Sequence, residues 1–331
     1  MPALEARQAI AWGFWNTPAE CVEGNLDPFF EYYARQCDLM VLRDGGRRTS
    51  VKTHADIIQL ARSLRALVQR EKISCQFPNN SPTDVPDEER DSHSIDLAAR
   101  LLLMIKVGDL WPKVHLARPI KWDRGTIKEH IERCFPAKTE LSHDKVNLDK
   151  ILNARNLSKI AGIEVVWTDN LTDHLRVMDD DTVAVFHHAS FLLRQQSDES
   201  LFPHDFLHET LQTLKLLFPR WDRPTQAWFR NEMSRSSGAL DPALVQVGYL
   251  SADERKFENF KYWHDRLVMV AQAFDEARPN SIRRWWVDRR NGVQWSTFWI
   301  AVAVLILTVV FGLIQCIEGG IQAYKVLNPG N

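Results

Sequence analysis

The most apolar stretch of this chain reads Trp295-Ser-Thr-Phe-Trp-Ile-Ala-Val-Ala-Val-Leu-Ile-Leu-Thr-Val-Val-Phe-Gly-Leu-Ile-Gln-Cys-Ile317, and it contains no charged side chain. As a helix it is about 33 Å long, which is enough to cross the hydrocarbon core of a bilayer. Its Leu, Ile, Val and Phe side chains, at roughly −0.5 kcal/mol each, outweigh the polar cost of Gln, Ser and Thr. A buried helix in a soluble core is the alternative, but such helices are rarely uncharged over this length. We therefore predict one transmembrane helix over residues 295–317.

Aromatic and basic residues crowd the N-terminal flank of this stretch. Indole rings favour the headgroup region of a bilayer, and arginines beside a span favour the cytoplasmic side. The predicted membrane-interface residues are Trp285, Trp286, Trp295, Trp299, Arg289 and Arg290. Lys325 is the one basic residue after the span. We predict a single-pass, tail-anchored protein with a cytosolic N-terminus, and glycans on the sequons at Asn79, Asn156 or Asn170 would refute this orientation.

The rest of the chain predicts a helix-rich α/β cytosolic domain, followed by a long helix and the one transmembrane helix. The predicted parts are 1–75, an aromatic-rich N-terminal part of the cytosolic domain; 76–94, a flexible linker or loop; 95–253, an α/β core; 254–278, a long juxtamembrane helix; 279–294, a basic, Trp-rich linker; 295–317, the transmembrane helix; and 318–331, a short tail.

Local patterns predict the elements of the N-terminal half. Cys37–Leu42 and Thr49–Thr53 are predicted as two strands of a hairpin, because Arg43-Asp-Gly-Gly-Arg between them is a turn sequence. The proline-rich, acidic stretch 76–94 has little to bury and predicts the linker. Ser94 is expected to cap a helix that ends at Gly108. Further helices are predicted from His54 to about Lys72, Thr126 to Cys134, Pro203 to Phe218 and Thr225 to Met233.

The most regular soluble pattern lies between Leu157 and Gln195. Ile163–Trp167 and Thr182–His188 are largely apolar runs typical of buried strands. A helix over Asn170–Arg176, capped by Thr168 or Asp169, is predicted between them. Because a helical crossover joins parallel strands, the two strands are predicted to form a parallel pair in an α/β layer.

Composition excludes some classes of protein. Lys and Arg number 41 against 43 Asp and Glu, and the two signs are interspersed, so no basic field for nucleic acid exists. The five cysteines are an odd, widely spaced set without a C-x-x-C pair, which indicates reduced thiols rather than disulfides or a zinc ribbon. The N-terminus lacks the apolar run of a signal peptide. No cofactor and no nucleic-acid partner are predicted.

Two histidine patterns could carry chemistry. His204-Asp-Phe-Leu-His208, with Glu232 downstream, is similar to a zinc-peptidase helix motif in which two His residues bind the metal. Asp205 stands where that motif has its catalytic Glu, which argues against the enzyme. His187-His188 ends a predicted strand; since neighbouring strand residues point to opposite faces, one core His and one exposed His are expected. The chain has no phosphate-binding glycine loop and no nucleophile elbow.

Several segments resemble an uncharacterised family of membrane proteins from filamentous ascomycete fungi. They are Gly162-Ile-Glu-Val-Val-Trp-Thr-Asp-Asn-Leu-Thr-Asp-His-Leu175, Phe186-His-His-Ala-Ser-Phe-Leu192, Phe260-Lys-Tyr-Trp-His-Asp-Arg-Leu-Val268, Ala273-Phe-Asp-Glu-Ala277 and Trp285-Trp-Val-Asp-Arg-Arg-Asn-Gly-Val-Gln-Trp-Ser-Thr-Phe-Trp299. The resemblance covers about the C-terminal half. The resemblance implies a cytosolic domain before a membrane segment, and it implies no established activity.

Some members of that family are similar in layout to CorA-type magnesium channels, which place an α/β domain and a long helix before two spans. This chain departs from the pattern, because it lacks the Gly-Met-Asn loop and has one apolar span. A homo-oligomer of single spans could line a pore, but Thr308, Gly312 and Gln315 are its few small or polar residues.

The leading hypothesis is a cytosol-facing scaffold or adaptor that contacts the bilayer through residues 295–317 and binds unidentified protein partners. A divergent CorA-like divalent-cation transport subunit, acting as a homo-oligomer, is the alternative, and a membrane-anchored zinc hydrolase is the third. The length and composition of the span slightly favour the endoplasmic reticulum over the mitochondrial outer membrane.

Overall fold

The computed structural model describes residues 1–16, 26–42, 47–73, 85–108, 121–137, 139–142, 146–179, 181–196, 200–236, 239–277 and 292–327. The chain divides into two compact units, Met1–Ala277 and Arg278–Asn331. The helices of the first unit are α1 Leu4–Trp15, α2 Asp27–Leu42, α3 His54–Arg65, α4 Asp87–Leu103, α5 Ile127–Cys134, α6 Ala154–Asn156, α7 Ala189–Gln195, α8 Phe206–Leu217, α9 Arg223–Arg235 and α10 His264–Glu276. Its strands are β1 Glu164–Thr168, β2 Arg176–Met178 and β3 Thr182–Phe186. The mixed, helix-rich α/β class is confirmed.

Aromatic side chains of α1 and α2 build one end of the core. Phe14, Phe29 and Tyr33 are fully buried, and the ring of Phe29 stacks on Phe191 at 5.8 Å between centroids. The predicted hairpin is wrong, since Cys37–Leu42 is the last part of α2 and Thr49–Thr53 forms no strand. The helical spacing of Phe29 and Tyr33 continues into this segment, and packing of that face on the core determines its conformation.

The acidic stretch before α4 belongs partly to the helix. Residues 76–84 of the predicted linker lie outside the described residues, but α4 already begins at Asp87. Acidic side chains in the first turn of a helix are stabilised by the helix dipole. The predicted linker therefore extends too far, because its acidic residues from Asp87 onward form the first turn of α4. Ser94 is not a cap: its hydroxyl donates to Arg90 O and accepts from Ser50 N, each at 2.8 Å. The helix ends at Leu103 rather than Gly108, because Met104 adopts a left-handed φ of 52°.

The sheet has three strands in the order β1-β3-β2, with β1 parallel and β2 antiparallel to β3. The predicted parallel pair is therefore confirmed. The predicted helix Asn170–Arg176 is wrong: Leu171–Asp173 is a single 3₁₀ turn, and Arg176 already belongs to β2. Asn170 prevents a regular helix because its side-chain amide bonds locally to Thr172 and Asp173.

Local signals correctly predict most of the remaining helices. Thr126 forms a capping box with Glu129 at the start of α5, and α9 covers the predicted segment Thr225–Met233. The helix predicted from His54 to Lys72 is shorter, since α3 ends at Arg65 and Arg70–Lys72 is a separate 3₁₀ turn.

The long helix predicted over 254–278 is wrong in its N-terminal half and is confirmed from His264 to Glu276. Phe257–Asn259 is a 3₁₀ turn, and α10 begins only at His264. The reason is the buried Glu209 of α8, whose carboxylate accepts the backbone N–H groups of Lys261, Tyr262 and Trp263 at 2.9, 2.8 and 2.7 Å. Three charge-assisted hydrogen bonds hold this segment in a non-helical conformation.

In the second unit, the helix α11 spans Gly292–Leu327. Within it, Ser296–Tyr324 is long and apolar enough to cross a membrane and is not buried by any described part of the chain. It is the one such helix among the described residues, and it suggests membrane association. The interface residues Trp285, Trp286, Arg289 and Arg290 lie outside the described residues, as does the side chain of Trp295. The indole of Trp299 is partly exposed.

His174 joins the sheet to α8 as a neutral imidazole. Its Nδ1 accepts from the N–H of Phe186 at 3.2 Å, so its Nε2 carries the proton and donates to Thr213 Oγ1 at 2.6 Å. The Thr213 hydroxyl in turn donates to Thr210 O. Burial, with a smaller contribution from the Arg266 charge, lowers the pKa of His174 to about 3.

We expect the free energy of unfolding to fall as the pH is lowered from about 6.5 toward 3. In that range the unfolded His174 binds a proton that the folded one excludes, so acid favours unfolding by up to a few kcal/mol. Urea denaturation of the full chain in detergent at several pH values measures this slope. His174→Gln should reduce this slope, although His130 and His188, whose pKa values are also lowered to about 4, still contribute to it. The exposed His208→Gln should leave the slope unchanged, and equal slopes in both variants would contradict the assignment.

Candidate functional site

The candidate site lies at the carboxyl ends of β1 and β3. Thr168 and Phe186 are paired in the parallel register and are the last residues of their strands. Asp169 follows the first strand directly, and His187 and His188 follow the second. Parallel pairing therefore brings the three side chains together at one sheet edge, the usual location of ligand sites in α/β sheets.

One oxygen of the Asp169 carboxylate contacts both imidazole rings. Asp169 Oδ1 lies 2.7 Å from His188 Nε2 and 3.3 Å from His187 Nε2. The two rings lie 3.9 Å apart at an interplanar angle of 31°. The side chain of His187 is 6% exposed and that of His188 is 0% exposed, whereas that of Asp169 is 33% exposed. We call these three residues the His-His-Asp cluster.

Both histidines of the cluster are buried, which corrects the expectation of one buried and one exposed ring. Strand alternation does not apply to them, because β3 ends at Phe186 and the chain turns into α7 at Ala189. The predicted helix that Asp169 was expected to cap does not exist, so its carboxylate is available to the cluster. The pairing of Asp169 with His187 and His188 was not anticipated, although the predicted parallel strands would have placed them together.

Helix α2 covers the cluster. Arg35 donates from Nη2 to the second oxygen of Asp169 at 2.8 Å. Tyr32, one helical turn earlier, places its ring 6.2 Å from that of His188 and donates its hydroxyl to Arg100 O. Burial raises the pKa of Tyr32, with a contribution from the charge of Asp169. Tyr32 therefore lies beside His188 as a neutral side chain, and Arg35 places a positive charge against Asp169.

Charge at the cluster is set by opposing effects. Burial raises the pKa of the Asp169 carboxyl, but hydrogen bonds from His187 and His188 outweigh it and hold the pKa well below its ordinary value. Burial, followed by the neighbouring His187, lowers the pKa of His188 to about 4. The cluster at neutral pH therefore contains an ionised carboxylate and a neutral His188.

The buried Asp241 supports the second strand end. Its Oδ2 accepts from the N–H of Ser190 at 2.7 Å, and its Oδ1 accepts from Ala243 at 2.9 Å. This carboxylate fixes the start of α7 directly after His188. Burial raises the pKa of Asp241, and hydrogen bonds from Ser190 partly offset that effect.

The sequence-predicted candidates lie elsewhere and remain apart. His204 precedes α8, is 95% exposed and pairs with Asp205 at 2.7 Å between Nδ1 and Oδ1. His208 is exposed on α8, and Glu232 of α9 pairs with Arg235. Among the described residues, the ligand atoms that meet are those of the His-His-Asp cluster and not of His204, His208 and Glu232.

A second feature is a surface groove of about 500 Å³. We call it the basic-aromatic groove. Its basic and aromatic lining residues are Lys150, Lys215, Trp221, Tyr249 and Arg255. Trp221 and Tyr249 are 48% and 60% exposed, and the Lys150 ammonium lies 4.6 Å from the Trp221 ring centroid. Exposed aromatic rings and arginine are enriched at protein-binding surfaces, and the groove has two such rings beside Arg255.

No family model, curated protein or solved structure matches the chain.

We expect Asp169→Ala to lower the free energy of unfolding by about 2–4 kcal/mol, since it removes the acceptor of two buried imidazoles. Asp169→Asn should cost less because its amide oxygen can still accept from His188. Urea denaturation of the full chain at pH 7 measures both. The control is Asp253→Ala, which removes a 93% exposed carboxylate that pairs with Lys256. Equal stabilities of Asp169→Ala and Asp253→Ala would contradict the role of Asp169.

Proposed function

We propose that this protein is a single-pass membrane-anchored adaptor that presents the 1–277 domain to the cytosol. The observation that carries this proposal is α11, in which Ser296–Tyr324 is apolar and is not buried by any described part of the chain. An exposed helix of this composition is costly in water and stable in hydrocarbon. A bilayer supplies the apolar environment that the chain itself does not.

The charge distribution supports the orientation. Five arginines lie between residues 278 and 290, before the span, whereas Lys325 is the only basic residue among 318–331. The positive-inside tendency places the arginine side, and with it the domain, in the cytosol. The endoplasmic reticulum is the proposed membrane, because the length and apolar composition of the helix suit it.

The basic-aromatic groove supports the adaptor role. Its two exposed aromatic rings offer apolar area at low entropic cost, and Lys150, Lys215 and Arg255 attract an acidic segment. We therefore propose an acidic segment of a protein, carrying an apolar side chain, as the ligand of this groove.

Orientation can be tested with an extension after Asn331 that carries an Asn-x-Thr acceptor. We expect glycosylation of the extension in microsomes, and none at the sequons of Asn156 and Asn170, because only the tail crosses. Leu307→Arg with Phe311→Arg should abolish the modification, since each charge costs about 3 kcal/mol in the bilayer centre. The control with Leu307→Ala and Phe311→Ala should retain the glycosylation of the extension. Modification at Asn156 or Asn170 would reverse the orientation, and an unmodified extension would exclude the endoplasmic reticulum.

The adaptor role predicts a partner that depends on the groove. Cross-linking in native membranes followed by mass spectrometry should recover a protein with an acidic segment at near-equal stoichiometry. Trp221→Ala with Tyr249→Ala should reduce its recovery at least tenfold, because the loss of two aromatic contacts of about 1–2 kcal/mol each weakens binding by more than a factor of ten. Trp12→Ala, which removes a 54% exposed ring on α1, is the control. A discrete homo-oligomer that requires α11 would instead favour the transport alternative.

A further inference from the structure

The His-His-Asp cluster leaves polar atoms without hydrogen-bond partners. Nδ1 of His187 and Nδ1 of His188 are both buried, and neither has a partner among the described residues. A neutral imidazole carries one donor and one acceptor, so in either tautomer each ring retains an unsatisfied atom. With no partner at Nδ1 among the described residues, each ring is oriented by the contact of its Nε2 with Asp169. The fixed feature of both rings is the convergence of their Nε2 atoms on Asp169.

The spacing of the donor atoms fits a single metal ion. One nitrogen from each ring and one oxygen of Asp169 lie within 4.8 Å of one another. Bonds of 2.0–2.2 Å in tetrahedral geometry place neighbouring ligand atoms about 3.3–3.5 Å apart. The observed separations of 2.7 and 3.3 Å between Oδ1 and the Nε2 atoms approach that value. The separation between Oδ1 and His188 Nε2 is about 0.6–0.8 Å shorter than a tetrahedral site requires, so these two ligand atoms must move apart by that amount when an ion binds.

An outer hydrogen bond orients the carboxylate of the cluster, and this side of the cluster is open to solvent. Arg35 holds Oδ2 of Asp169, which leaves Oδ1 directed at the imidazoles. Metal-binding carboxylates are commonly oriented by such an outer hydrogen bond. The Arg35 and Asp169 side chains are 53% and 33% exposed, so an ion and a water molecule can reach the cluster from their side.

The donor types select the class of ion. Two imidazole nitrogens and one carboxylate oxygen suit Zn²⁺ and related first-row ions, whereas Mg²⁺ and Ca²⁺ prefer oxygen ligands alone. Three protein ligands leave one tetrahedral position to water. We propose that Asp169, His187 and His188 bind one divalent transition-metal ion, with Zn²⁺ as the representative. This site is distinct from the sequence-predicted set of His204, His208 and Glu232, and it does not depend on the membrane-anchored adaptor proposal.

Metal analysis of the full chain in detergent tests the site. After removal of metal by a chelator, addition of Zn²⁺ alone and dialysis, the wild type should retain about one ion per chain by plasma mass spectrometry. His188→Gln and Asp169→Asn should retain at least tenfold less. His208→Gln, the matched control on an exposed histidine, should retain the full amount. Circular dichroism verifies that each variant is folded.

Two further measurements remain informative if a variant unfolds. Zn²⁺ should raise the Tm of the wild type by several degrees, because an ion that binds only the folded state stabilises it. Co²⁺ bound to the wild type should give the visible absorption of a four-coordinate ion. A wild type that retains no Zn²⁺ and shows no rise in Tm would overturn the proposal. So would equal retention in folded His188→Gln and wild type, or a loss confined to His208→Gln.

Discussion

The parallel pairing of β1 with β3 is the constraint on which the candidate site depends. It places the last residues of both strands, Thr168 and Phe186, side by side, so the residues that follow them meet at one edge. In an antiparallel pair Asp169 and His187 would lie at opposite ends of the strands, about 16 Å apart at 3.3 Å per residue. The meeting of Asp169 with His187 and His188 follows from this one choice of strand direction.

Two buried carboxylates, of Glu209 and Asp241, and the partly buried one of Asp169 then fix the irregular segments around the sheet. Glu209 holds the backbone before α10, Asp241 holds the start of α7, and Asp169 holds the two imidazoles. Burying an acid is costly unless donors surround it, and each of these three has them. Because such a group tolerates few alternative arrangements, it specifies one conformation for the segment that supplies the donors.

The two units have different physical requirements. The domain buries its apolar side chains in its own core, whereas α11 exposes them along its length. Under the proposed function the bilayer buries α11, and the anchor confines the basic-aromatic groove to the membrane surface. Confinement raises the effective concentration of the domain toward partners on the same membrane. Binding at the groove and a metal ion at the His-His-Asp cluster involve separate residues, so each can be removed without the other.

The sequence by itself determined the apolar helix, because insertion depends on the composition of one continuous segment. It also determined the helix that begins after Thr126, whose signal is local, and it predicted the parallel strand pair, although the helical crossover from which that pair was inferred is a 3₁₀ turn followed by β2. Only the tertiary structure decided that Cys37–Leu42 is helical, and that residues 261–263 are not, because Glu209 and the core act on them from distant positions. The tertiary structure alone showed that Asp169 contacts His187 and His188. Sequence periodicity describes residues that are close in the chain, whereas this site depends on contacts between residues that are distant in the chain.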